Sequence, residues 1–204
     1  MIFAHAFIGA IIAYIATPKM LQGTEAEKFW KLNKKSVLWL FAILSSVFPD
    51  LDILYVLLID NSAEHRKLLT HSIVPYTIIL ILVLLIIKIK KIDKYYSQLT
   101  LISWLGVLFH LIADLYVAPV YLFTPISNVM LLWQPFHINL KDGIKAYIFS
   151  PYMLTELIII ITGTILLIKS FINEKKELII LLSILGMILI SAIGTLIPFI
   201  SSFN

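Results

Sequence analysis

The chain has no cysteine, so disulfides and thiolate metal sites are excluded, and redox chemistry says nothing about its compartment. Any metal must be held by His, Asp or Glu. Charge is also scarce. Only 14% of the 204 residues are Asp, Glu, Lys or Arg, where an ordinary soluble domain carries about a quarter. Hydrophobic residues make up 60% of the chain, against roughly 45–50% in such a domain. One small core cannot hide that excess, because a domain of this size still shows much of its surface to solvent. The solvent for most of that surface must be lipid. An ordinary cytosolic enzyme, a disordered chain and a nucleic-acid binder are therefore excluded. The net charge of +4 does not point to nucleic acid, since lysines at loop ends are what membrane topology requires. There is no H-E-x-x-H, no internal repeat, no low-complexity tract and no sign of a second domain, so residues 1–204 read as one helical unit.

A helix needs about 17–25 apolar residues to cross a hydrocarbon core. Six segments qualify in outline, roughly 2–16, 37–59, 72–87, 99–117, 152–168 and 178–200. Continuous apolar runs without alternation read as helix, not as barrel strands. The expected fold is all-α: a polytopic bundle of about six transmembrane or partly re-entrant helices. The first segment is short and could enter one leaflet only, ending before Pro18. It could also be a signal peptide, but it lacks a basic n-region. Lysines then set the sidedness. Lys19, Lys28, Lys31, Lys34 and Lys35 share one loop, Lys88, Lys90, Lys91 and Lys94 another, and Lys169, Lys175 and Lys176 a third. The alternate loops hold Arg66 and Lys67, then Lys141 and Lys145, a split of twelve against four. Both termini are expected outside the cytoplasm. The long outer loop 118–151, with Pro119, Pro125, Pro135 and several aromatics, is expected along the interface.

Ionisable groups at membrane depth are costly and mark candidate sites. His5 stands at the outer start of the first segment. Asp50 and Asp52 interrupt the second, in Phe48-Pro49-Asp50-Leu51-Asp52. His65 and His71 frame the run His65-Arg66-Lys67-Leu68-Leu69-Thr70-His71-Ser72. His110 and Asp114 are four apart and share one helix face. Lysine and arginine placement alone puts all seven between the middle of the bilayer and its outer surface.

Imidazole nitrogens and carboxylate oxygens without sulfur suit Zn, Mn or Fe. The set could hold one to two divalent ions with positions left open for substrate. Pro49 lets Asp50 leave the regular helix. On an ideal helix Asp50 and Asp52 point roughly 200° apart, so one could ligate while the other caps or orients. Plainer readings stand beside these: an interfacial His5, a helix end at Asp50, a solvated His65, a structural hydrogen bond between His110 and Asp114. Arg66 is either an interfacial anchor or a phosphate-binding guanidinium. His137 and Glu156 are weaker candidates, and Glu156 is expected to bond Tyr152 or a backbone group.

The order His5, Pro49-Asp50-Leu51-Asp52, His65-Arg66-x-x-x-Thr70-His71-Ser72 and His110-x-x-x-Asp114 resembles the bacterial membrane-bound metal-dependent hydrolases (YdjM-like). The likeness runs from His5 to about Phe136, and the arginine followed by Thr-His-Ser is its most specific element. The order is also similar to that of zinc-dependent phospholipase C. The resemblance implies His5, Asp50 or Asp52, His71, His110 and Asp114 as metal ligands, with Asp114 as a bridge. The phospholipases add a later His and a His-x-x-x-Glu pair. Here only His137 and Glu156 follow, at a different spacing, so a third metal is not implied.

The expected function is hydrolysis of a phosphate ester in a lipid or lipid-linked substrate, within the membrane, with His65 or Arg66 stabilising developing charge. The alternative is a divalent-metal transporter or a metal-binding membrane protein without catalysis. Transport sites usually lie at the midplane between repeated halves, and no repeat is present. A metal-assisted peptidase and a purely structural protein are the remaining readings.

Overall fold

The computed structural model describes residues 4–21, 28–29, 32–59, 65–133, 135 and 147–201. Among the described residues the main α-helices are α1 His5–Met20, α2 Lys34–Ser45, α3 Asp52–Leu58, α4 Ile73–Lys90, α5 Lys94–Val117, α6 Pro151–Phe171 and α7 Lys175–Ser201. The only paired strands among the described residues are β1 Lys28–Phe29 and β2 Leu32–Asn33, an antiparallel two-residue pair before α2. Helices α4, α5 and α6, of 18, 24 and 21 residues, are long and apolar enough to cross a membrane.

Local chemistry explains where the helices begin. The Asn33 side chain accepts from the amide of Ser36 at 2.7 Å, Ser72 from Val74 at 3.2 Å, and Asp93 from Tyr95 at 2.8 Å. Each cap satisfies an amide that the first helical turn leaves unpaired. Helix α4 ends on Lys91, whose φ of 51° terminates it in the left-handed conformation.

Two expectations about the spans change. The first helix runs on through Pro18 to Met20, because the missing proline bond is tolerated within one turn of the end, where Leu21 still bonds Thr17 at 3.0 Å. At 16 residues it is about 24 Å long, short of a full hydrocarbon core. The second segment is not one helix. Helix α2 stops at Ser45, a 3-10 turn covers Phe48–Leu51, and α3 restarts at Asp52. Pro49 has no amide to continue the α-helical ladder, and the Ser46 hydroxyl turns back to the carbonyl of Ile43 at 2.8 Å.

Helix α1 lies in the middle, against α2, α5 and α6, while α4 leans on α5. The buried residues of α1 include the small Ala6, Ala10 and Ala13, which share one core cluster with Leu38, Trp39 and Ile43 of α2. Gly9 of α1 and Gly106 of α5 both close on the carbonyl of Ala42. A Cβ at Gly9 would stand 2.7 Å from the Cα of Ile43, and one at Gly106 2.9 Å from the oxygen of Ala42. Small residues at these crossings allow the backbone approach that apolar helices in lipid depend on. Many other apolar side chains point outward. Ile78, Ile79, Ile81, Leu82, Leu85, Ile86 and Ile89 of α4 are all exposed, a face with no place in water.

The bundle has two chemically distinct ends. At one, the Tyr95 hydroxyl donates to the carbonyl of Lys34 at 2.9 Å, Gln98 donates to that of Met20, and Lys35 pairs with Glu174 at 2.9 Å. The start of α1, the break after α2 and the last turns of α5 form the other, where the histidines and aspartates lie. There the chain after α5 folds back as a brace. Val120 and Leu131 exchange backbone hydrogen bonds, Ser72 donates to the carbonyl of Thr124 at 2.5 Å, and the amide of Ile73 donates to Leu122 at 3.0 Å.

Candidate metal centre

Each candidate side chain is placed by a different piece of backbone. His5 opens α1, and His110 and Asp114 stand one turn apart on α5. Asp50 hangs from the 3-10 turn that Pro49 forces. His71 closes a second 3-10 turn, Leu69–His71, just before α4. These positions converge. One ligand atom from each of His5, Asp50, His110 and Asp114 lies within 4.8 Å of all the others. The rings of His5 and His110 are 3.9 Å apart between centroids, and those of His71 and His110 5.5 Å.

Asp50 and Asp114 are the hub. Nε2 of His5 is 3.3 Å from Oδ1 of Asp114 and 3.8 Å from Oδ2 of Asp50. On the other side, Nε2 of His71 is 3.5 Å from Oδ2 of Asp114 and 3.6 Å from Oδ1 of Asp50. Nε2 of His110 is 3.7 Å from each of those same two oxygens. Each carboxylate thus turns one oxygen to His5 and the other to His71 and His110. His5, His71, His110 and Asp114 are buried, while the Asp50 side chain keeps 22% exposure and Arg66 30%, so solvent reaches the group at those two side chains.

A second layer orients the imidazoles. Nδ1 of His110 donates to the carbonyl of Ser46 at 2.8 Å, an acceptor that exists because the helix breaks there. Nδ1 of His71 donates to Oδ2 of Asp52 at 2.9 Å, and the hydroxyl of Thr70 donates to the same oxygen. Both histidines therefore aim Nε2 at Asp50 and Asp114. Metal-ligating histidines commonly hand their other N–H to a carboxylate or backbone carbonyl in this way. Burial works against a charged His71, but the nearby carboxylates of Asp114, Asp50 and Asp52 outweigh it and push its pKa up to about 11.

The residues fit a divalent cation. Nε2 of His110 is buried without a hydrogen bond, close to two carboxylates that lie beyond bonding reach. Two such acids brought together in an apolar bundle repel each other unless a positive charge joins them. Ligands held about 2.1 Å from one ion in tetrahedral geometry lie about 3.4 Å apart, close to the separations found here. Nitrogen and oxygen donors without sulfur suit borderline metals such as Zn, Mn or Fe.

The remaining candidates fall as follows. Asp52, expected among the ligands, stands one step behind them and holds His71. Nε of Arg66 approaches Oδ2 of Asp114 at 3.5 Å from the open side. His65 lies in the turn His65–Lys67, and its side chain is outside what the structure describes, as is the whole of His137. Glu156, fully buried, accepts from the hydroxyl of the buried Tyr147, nine residues back. Sequence reasoning did not foresee the supporting roles of Ser46 and Thr70. The carbonyl of Ser46 leaves no trace in a sequence, whereas a hydroxyl one residue before His71 is a signal that could have been used.

Comparison with curated proteins finds no match, and comparison with solved structures finds none either. One family does match, described as YdjM inner membrane protein, over residues 1–198. With three helices able to cross a bilayer, this agrees with a membrane location. The chain belongs to the YdjM inner membrane protein family.

Proposed function

We propose that this protein is a membrane-embedded, metal-dependent hydrolase of a phosphate ester in a lipid or lipid-linked substrate. The observation that carries this reading is the meeting of His5, Asp50, His71, His110 and Asp114 at one end of the bundle. Those five would hold one to two divalent ions. When bound, such an ion supplies Lewis acidity to phosphoryl oxygens and lowers the pKa of a water toward about 7. The chain's own groups do the rest. Asp52 and the Ser46 carbonyl fix the imidazole orientations. Arg66, at the mouth, offers its remaining N–H groups to a phosphoryl oxygen, where a guanidinium fork suits both charge and geometry. His65 precedes it in the same turn and is the second candidate for stabilising the leaving group.

The lysine-rich end would face the cytoplasm by the positive-inside rule, so the pocket would open toward the non-cytoplasmic leaflet. A headgroup could then reach the pocket while its chains stay in lipid. Detergent-purified protein should carry Zn, Mn or Fe and release phosphate or a phosphorylated headgroup from a panel of phospholipids and model phosphodiesters. Bound metal with no turnover on that panel would favour the alternative, a metal-binding or metal-transporting membrane protein. Metal flux into proteoliposomes lost in His110→Ala would establish it.

A further inference from the structure

Helix side chains tilt toward the N-terminus, so a long one in the first turn covers the segment that precedes its helix. Tyr76 stands in the first turn of α4 and reaches back in this way. Its hydroxyl donates to the carbonyl of Thr70 at 2.9 Å. That carbonyl belongs to the planar peptide unit joining Thr70 to His71, so the bond fixes the plane from which His71 departs. Thr70 is therefore held twice. Its carbonyl accepts from Tyr76, and its hydroxyl donates to Oδ2 of Asp52, the oxygen that also accepts from Nδ1 of His71. The ring of Tyr76 has a second neighbour: it meets the ring of Phe48 edge-on, 6.3 Å away between centroids and at 85°. Phe48 opens the 3-10 turn that carries Asp50. Tyr76 also packs against the buried cluster of Val107, Leu111 and Val120, in which Leu111 directly follows His110.

We infer that Tyr76 is a positioning residue of the His/Asp centre, holding the turn that ends at His71 against the turn that carries Asp50. The inference rests on the metal-binding half of the reading given above. Short 3-10 turns have poorer hydrogen-bond geometry than an α-helix. The two turns therefore need an outside tie to keep Nε2 of His71 at 3.6 Å from Oδ1 of Asp50. Tyr76 supplies it from a regular helix, with the hydroxyl on one turn and the ring on the other. A neighbouring bond gives the contrast. One residue on, Thr77 accepts from Nε1 of Trp104 at 3.2 Å, a bond that ties α4 to α5 and includes neither turn.

The test is competition for zinc between a calibrated chelator and the full chain in detergent. Tyr76→Phe keeps the ring and removes only the hydroxyl. Its Kd for zinc should rise about tenfold, the lower end of the range for losing an outer partner. Phe48→Leu drops the ring contact from the other side and should raise the Kd about threefold. Trp104→Phe removes the neighbouring bond between α4 and α5 and should bind zinc as the parent does. Tyr76→Phe binding as tightly as the parent, or no more weakly than Trp104→Phe, overturns the proposal. If Tyr76→Phe does not fold, Phe48→Leu decides on the same terms. A parent that takes up no zinc removes the metal reading, and Tyr76 is then judged by ¹⁵N-histidine NMR of the chelated protein. There the proton that His71 gives to Asp52 should exchange with water about fivefold faster in Tyr76→Phe, and at the parent's rate in Trp104→Phe. An unchanged rate in Tyr76→Phe overturns the proposal in that case.

Discussion

His71 gives its Nδ1 proton to Oδ2 of Asp52 across 2.9 Å, and this bond decides which way its other nitrogen faces. The two acids of the Asp50-Leu51-Asp52 run thereby divide their labour: one enters the pocket, the other stands behind a histidine.

Removing Asp52 should therefore weaken metal binding without emptying the site. Asp52→Ala is expected to lower metal affinity by about 10–100-fold, the usual effect of deleting an outer-shell partner. Competition with a calibrated chelator measures it. Affinity equal to the parent's would return Asp52 to a purely local role.

His110→Ala removes a nitrogen aimed at both carboxylates and should do more. The parent is expected to purify with about one to two transition-metal ions per chain, the variant with substantially less by elemental analysis. Adding metal at a hundred times its Kd should stabilise the chelated parent by about 2.7 kcal/mol. The variant should melt at an unchanged temperature.

The raised pKa of His71 makes two statements about pH. Without metal, its protonated form is the one the fold prefers. Its contribution to stability is then fully present below the ordinary value of 6.5 and is lost as pH climbs toward about 11. Chelated protein should accordingly lose melting temperature across that window. Metal must displace that proton, so affinity should rise with pH by about tenfold per unit over the same range. Calorimetry in buffers of different ionisation enthalpy would count the proton released.

Arg66 is the guanidinium nearest the opening, and its loss should touch turnover before metal. Arg66→Ala is expected to reduce kcat/KM for a lipid phosphoester by about 10²–10³-fold, the scale of deleting one charge-stabilising donor. Metal content should hold at the parent's level. Arg66→Lys should recover only part of the rate, because an ammonium cannot reproduce the fork. Equal loss of metal and rate would make Arg66 a structural partner of Asp114 instead.

The crossing at Ala42 should be sensitive to any added bulk. Gly106→Val would drive a side chain into the backbone of α2 and is expected to cost about 1–3 kcal/mol in a core with no room to give. Because α5 carries His110 and Asp114, the same change should lower metal content. Thermal melts and elemental analysis of one sample would show both.

Much of the centre was legible before the fold was known. Four-residue spacing put His110 and Asp114 on one face, and lysine placement put the distant His5, Asp50 and His71 at the same depth. The separation of Asp50 from Asp52 was not legible in detail. An ideal helix places them on nearly opposite sides, but the chain there is a 3-10 turn followed by a fresh helix, and only that path shows which one enters the pocket. The end of α1 was misplaced because Pro18 reads as a stop, whereas a proline in the closing turn forfeits little. The Ser46 carbonyl was beyond reach, since a backbone acceptor becomes available only when the ladder above it fails. Tyr147, which reaches Glu156 across the turn at Ser150, was not among the partners that sequence order suggested for it.

The brace formed after α5 has an outcome for anyone exchanging parts between members of this family. The stretch around Leu122–Thr124 looks like an expendable connector, yet it buttresses Ser72 and Ile73, the two residues that follow His71. A chimaera that swaps this stretch would shift a histidine some fifty positions upstream. Changes in metal preference between such hybrids would then trace to a segment that touches no cation.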